Sequence, residues 1–208
     1  MTGVQTCALP ISPDFIREAA VEILQHGDPM EVHGYTIAPG KPQVREALAA
    51  DLKKRFGMEV SGKNLFLTAG AAASVTITVK ALAEEGDEFI AVAPFFPEYR
   101  VFVEACGGKL VVVPAKTDDF QIDIAAMEAS ITPQTKAVII NSPNNPSGAV
   151  YSASVLQSLA DLLRAKMREF GHPIFIIADE PYREIVYDGL TVPCIITKIG
   201  RASCRERV

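Results

Sequence analysis

The stretch IFIIADEPYREIVYDG, residues 174–189, carries an apolar run directly into Asp179 and Glu180, with Pro181 immediately behind them. A carboxylate at the end of a buried strand is costly unless a cation or a full set of hydrogen bonds meets it. Asp179 therefore needs a partner, either the neighbouring Arg183 or a group brought by a ligand. Three other stretches stand at comparable places: TAGAAAS at 68–74, PFFPEY at 94–99 and NSPNNPSG at 141–148. Singly, these read as a turn into an alanine-rich helix, a core aromatic pair and a loop of turn-forming residues. Four such stretches on one edge of a sheet point instead to a ligand site.

The elements that must position them alternate between helical periodicity and short β-branched runs, the pattern of an open, mostly parallel α/β sheet. Strands are expected at 64–69 (NLFLTA), 87–93, 109–115, 136–142 and 173–179. Connecting helices are expected near 71–84, 97–106, 123–130 and 152–170, the last stopped by Gly171. An earlier helix has Pro42 near its first turn and Gly57 at its end, with Val44, Leu48, Leu52 and Phe56 recurring at four-residue steps. On this map the unusual residues all follow the carboxyl ends of strands, the edge where open α/β sheets bind ligands.

NSPNNPSG and DEPY, supported by HGYTIAPGKPQVREALA at 33–49 and by TAGAAAS, resemble the pyridoxal-phosphate-dependent aminotransferases of class I and II. The resemblance spans residues 13–198. It implies the three-layer α/β/α large domain of fold type I, incomplete here: 13–34 as a remnant of the N-terminal or small-domain segment and 35–198 as a partial cofactor-binding domain. It further implies a homodimer acting on an amino acid and a 2-oxo acid. Other readings are a carbon–sulfur lyase using the same cofactor, and a non-enzymatic aminotransferase-like domain of a transcription regulator.

Carried over residue by residue, the resemblance makes the protonated pyridine nitrogen of pyridoxal phosphate the partner of Asp179, so that the ring accepts electrons released at the substrate α-carbon. Asn145 and Tyr182 would donate to the ring oxygen, and Phe96, rather than Phe95, would lie against the ring face. The phosphate would rest on backbone N–H groups of Ala69, Gly70 and Ala71 at a helix start. Alanines there replace the hydroxyl residues of other members, leaving backbone contacts. Tyr35 matches a tyrosine that reaches the phosphate of the neighbouring subunit.

The family's Schiff-base lysine is expected roughly 35 residues beyond Asp179, past the end of this chain. Lys198 comes too early and reads as a loop residue. The substrate-carboxylate arginine belongs to the small domain and is likewise expected beyond this chain, which is thus read as inactive by itself. The family's strand order, counted from NLFLTA, runs third, second, fourth, fifth, sixth, seventh, first. Without the sixth and seventh, NLFLTA must either lack partners or pair wrongly with the strand ending at Asp179.

Residues 1–12 and 199–208 read as translated sequencing-library adapter and are set aside from fold reasoning. Their removal leaves Cys106 and Cys194, with neither a disulfide framework nor metal-ligand spacing, consistent with a reducing cytoplasm. The tail's net +2 converts the whole-chain charge of −5 to −7, which disfavours nucleic acid. No apolar run approaches the roughly 20 residues of a membrane span. His26, His33 and His172 have no partners at metal spacing, and no G-x-x-x-x-G-K-[ST] or G-x-G-x-x-G phosphate motif occurs.

Overall fold

The computed structural model describes residues 13–199; the adapter-like segment 1–12 and all of the adapter-like segment 199–208 after Ile199 lie outside the described residues. Four parallel strands, β1 (Glu88–Ala93), β2 (Lys109–Pro114), β3 (Thr135–Asn141) and β4 (Phe175–Asp179), form one sheet in the order β2-β1-β3-β4. Counted from NLFLTA these are the second to fifth expected strands, and their order agrees with the expected one.

Eight α-helices are described: α1 (Asp14–His26), α2 (Pro29–His33), α3 (Pro42–Phe56), α4 (Ala71–Leu82), α5 (Glu98–Glu104), α6 (Ile124–Ser130), α7 (Ala153–Phe170) and α8 (Ile195–Ile199). Lys198 therefore sits in a helix rather than in a loop. The Ser152 hydroxyl accepts from the Val155 N–H at 3.2 Å to start α7, and Gly171 ends it in the left-handed conformation at φ 76°. Asp123 caps α6 through the Ala125 and Ala126 N–H groups at 3.0 and 3.1 Å.

Alternation along the strands builds two cores. Ile90, Val92, Val138 and Ile140 pack with Met127, Leu156, Leu159 and Leu163 of α6 and α7 on one face. Phe89, Ala91, Ala137 and Ile139 pack with Val75, Val79, Tyr99 and Val103 of α4 and α5 on the other. The inner strands are covered on both faces, which is why their sequences are apolar without a break rather than alternating.

One expected strand needs correction. NLFLTA is not a strand: residues 62–64 form a 3-10 turn and 65–68 have no ladder, although the Leu67 N–H donates to the Pro39 carbonyl at 3.1 Å. Among the described residues no strand forms a ladder with it, and Phe66 is 72% exposed. The helix expected from Pro42 to Gly57 is present as α3, with Gly57 closing it in the left-handed conformation. Val44 and Leu48 are exposed, and Ala49 is the buried residue of this helix among those described.

Candidate active site

The carboxyl ends of β1, β3 and β4 open onto a cleft of about 150 Å³ lined by Ala71, Ala72, Phe96, Tyr99, Asn141, Asn145, Asp179 and Tyr182, among others. It lies where the chain crosses over β1 to reach β3, the switch point at which α/β sheets bind ligands. Each strand end contributes a different kind of group.

Asp179 is the last residue of β4, half-buried, and its Oδ2 accepts a hydrogen bond from the Tyr99 hydroxyl at 2.5 Å. Tyr99 is 1% exposed, held between α4, α5 and the sheet. Burial first, and then the Asp179 hydrogen bond, push its phenol well above the ordinary value, so it remains a neutral donor. Arg183 is not the partner of Asp179. It pairs with Glu180, at 3.0 Å through Nε and 2.6 Å through Nη2, while its other contacts go to the Val192 and Pro193 carbonyls and the Phe56 ring. A three-residue step through the turn suits Glu180 and carries the guanidinium away from the cleft.

Phe96 follows β1, lines the cleft and meets Tyr99 edge-on, with ring centroids 5.7 Å apart. Phe95 and Phe96 both pack against the core that holds Tyr99, but Phe95 is not among the residues lining the cleft. In the NSPNNPSG loop, Asn144 is the structural asparagine: its Oδ1 accepts from the Ser147 N–H at 3.0 Å and from the Ser147 hydroxyl at 2.7 Å. That turn leaves the Asn145 amide facing the cleft, where Nδ2 lies 3.4 Å from the Tyr182 hydroxyl. Asn145 and Tyr182 thus converge from two different loops.

At the third side of the cleft, Gly70 precedes α4 at φ 89°, a conformation that a side chain would strain. Ala71 and Ala72, in the first turn of this 12-residue helix, line the cleft, whereas Ala69 is exposed and not among the lining residues. The Gly70 N–H donates to the Thr68 carbonyl at 2.9 Å. Hydroxyls are present after all, since Thr68 Oγ1 and Ser74 Oγ lie 2.5 Å apart across this turn. Tyr35 is fully exposed and does not line the cleft.

The structure thus brings Ala71, Phe96, Asn145, Asp179 and Tyr182 to one cleft and adds two residues that the sequence reading did not single out, Tyr99 and Asn141. Tyr99 carried a signal, being three residues after Phe96 on a helix opened by Pro97. Asn141 carried one too, as the polar residue closing an apolar strand.

The site thus sets a carboxylate at the end of β4, a phenol from the loop that follows it, an amide from the loop after β3 and a helix N-terminus around one cleft of a parallel α/β sheet. The chain belongs to the aminotransferase class I and II family, whose model matches residues 9–203. It is 32% identical over 179 residues to the probable aspartate/prephenate aminotransferase of Thermus aquaticus, an alignment covering 86% of this chain and 44% of that protein. Its structure resembles that of an amino transferase from Eubacterium rectale, with a TM-score of 0.87 and 50% identity over 90% of this chain and 47% of that one. Thermus thermophilus aspartate aminotransferase with maleate superposes with a TM-score of 0.75 at 32% identity, covering 86% of this chain and 45% of that one. The chain therefore spans less than half the length of these relatives.

Proposed function

We propose that this chain is the pyridoxal-phosphate-binding part of an aminotransferase that moves an amino group from an amino acid to a 2-oxo acid. The observation that carries the reading is the meeting of Asp179, Asn145, Tyr182 and Phe96 around one cleft at the mouth of α4. This donor set fits the cofactor. It offers a carboxylate for a cationic ring nitrogen, two donors for an anionic ring oxygen, an aromatic face, and a helix N-terminus for a phosphate.

When bound, pyridoxal phosphate supplies an electron-poor ring that takes up the charge released at a substrate α-carbon. Asp179 holds the proton at the ring nitrogen, and Tyr99 occupies Asp179 Oδ2 with a neutral hydrogen bond, leaving Oδ1 for that task. The Asn145 amide and the Tyr182 hydroxyl present their protons to the ring oxygen. Phe96, backed edge-on by Tyr99, covers one face of the ring and excludes water from it. The first-turn N–H groups of α4 hold the phosphate, and the Thr68 and Ser74 hydroxyls stand beside them. Tyr35, exposed and not a lining residue of its own cleft, serves the phosphate of a second subunit in a homodimer.

Among the described residues no lysine lines the cleft. On this reading amino transfer belongs to the enzyme that carries this segment. The test compares amino transfer by the enzyme carrying this segment with that of its Asp179→Ala variant. Loss of one preorganised charged group costs at least about 3 kcal/mol of transition-state stabilisation, so kcat should fall by two orders of magnitude or more. A variant with near wild-type turnover removes Asp179 from the mechanism. Production of an elimination product in place of the new amino acid would assign the site to carbon–sulfur cleavage.

A further inference from the structure

Asn141 ends β3 and is 4% exposed, a buried amide at the close of an otherwise apolar strand. It stands in register with Asp179 on β4. Its Nδ2 donates to the Asp179 main-chain carbonyl at 2.9 Å, and its Oδ1 accepts from the Asn145 N–H at 2.6 Å. One planar group therefore holds the main chain of both residues, and the two bonds together fix which way the amide faces. A flipped amide would set donor against donor and acceptor against acceptor.

The two residues so joined come from different loops, and each leaves the regular sheet just where Asn141 grips it. Past Asn141 the chain turns through Pro143 and Pro146, past Asp179 through Pro181, and proline donates no backbone hydrogen bond. The Asn141 side chain takes the place of the missing ladder at this point and bridges the gap between the loops.

We propose that Asn141 is a positioning residue: by clamping the Asn145 amide nitrogen and the Asp179 carbonyl oxygen to a single side chain, it sets the distance between the group that meets the ring oxygen and the group that meets the ring nitrogen. The inference rests on the functional reading above and concerns how the site is held to the width of its ligand. Asn141 itself acts through its two neighbours.

Two substitutions separate the two bonds. Asn141→Asp keeps the acceptor for the Asn145 N–H and replaces the donor to Asp179 with an oxygen. Asn141→Leu, close in shape, removes both and orphans a buried donor and a buried acceptor. The probe is pyridoxamine 5′-phosphate labelled with nitrogen-15 in the ring, which binds without a covalent bond to the protein. Affinity and the ring-nitrogen resonance are followed together with thermal unfolding. Asn141→Leu should weaken binding by about 10-fold or more, the scale on which groups that orient a ligand-holding residue from behind are felt. The ring-nitrogen resonance should move toward its unprotonated position in both variants, because both slacken Asp179. If Asn141→Leu fails to fold, Asn141→Asp carries the test through that resonance. A lowered melting temperature with unchanged affinity and an unchanged resonance in the folded variants overturns the proposal, leaving Asn141 as a structural residue. Failure of the unsubstituted chain to bind the probe overturns the functional reading, and the proposal with it.

Discussion

The hydroxyl of Tyr99, on α5, donates to Asp179 Oδ2, at the end of β4, across 2.5 Å. The bond ties a helix on one face of the sheet to the strand end that carries the site's charge. Tyr99→Phe keeps the ring packing against Phe95 and Phe96 and removes only this donor. A hydrogen bond to a charged group contributes about 1.5–3 kcal/mol, and the lower end applies because Asp179 is only half-buried. Urea unfolding of Tyr99→Phe should show a loss of this size with the m-value unchanged; an unchanged midpoint would mean that water replaces the phenol at no cost.

Glu88, at the start of β1, is pulled upward by burial, but the Thr132 hydroxyl and the hydrogen bond and charge of Lys109 outweigh this and leave its carboxyl below the ordinary value of 4.5. A carboxyl whose folded pKa is depressed adds stability that is fully present above its unfolded pKa and disappears as pH falls through the folded one. Glu88→Gln should therefore be less stable than the parent chain at neutral pH, with the difference shrinking progressively once the pH drops below 4.5. Denaturant melts across an acid series measure this, and a difference that stays constant with pH would contradict the assignment.

Leu159 of α7 is fully buried against the sheet. Leu159→Ala removes three carbons from a closely packed layer and should cost about 2–5 kcal/mol, depending on how far α7 settles onto the sheet. Chemical denaturation gives the value directly. A loss under about 1 kcal/mol would show that this layer is looser than its burial implies.

Residues 65–68 belong to no ladder, Phe66 is largely exposed, and among the described residues no strand covers the outer edge of β4. An unpaired apolar segment and an open sheet edge are each templates for association between copies. The chain is expected to self-associate with rising concentration and Phe66→Lys to reduce this, as sedimentation velocity would report. Equal behaviour of the two chains would place the sticky surface elsewhere, the apolar side chains of α1 such as Phe15 and Leu24 being the next to replace.

The inner strands β1 and β3 were legible because they are buried on both faces and must be apolar throughout, and β2 and β4 because they are short apolar, β-branched runs punctuated by turn residues. The helices were legible from caps and stops: Ser152 with Gly171, and Pro42 with Gly57, announce ends whose backbone groups need local partners. The residues at the strand ends stood out for the complementary reason, since Asp179 and the asparagines of NSPNNPSG are costly where a sheet closes unless something there needs them.

What tertiary structure alone decided is partnership. NLFLTA has the composition of a strand, yet a strand exists only if a neighbour forms a ladder with it, and among the described residues none does; the Pro39 carbonyl takes a single bond, from the Leu67 N–H. The spacing of Val44, Leu48, Leu52 and Phe56 describes a face of α3 but not what covers it, and Val44 and Leu48 are left exposed. Arg183 is close enough in sequence to serve either carboxylate, and the path of the turn sends it to Glu180. Tyr99 reaches Asp179 from 80 residues away because parallel strands bring distant segments to one edge, a contact that no local pattern encodes.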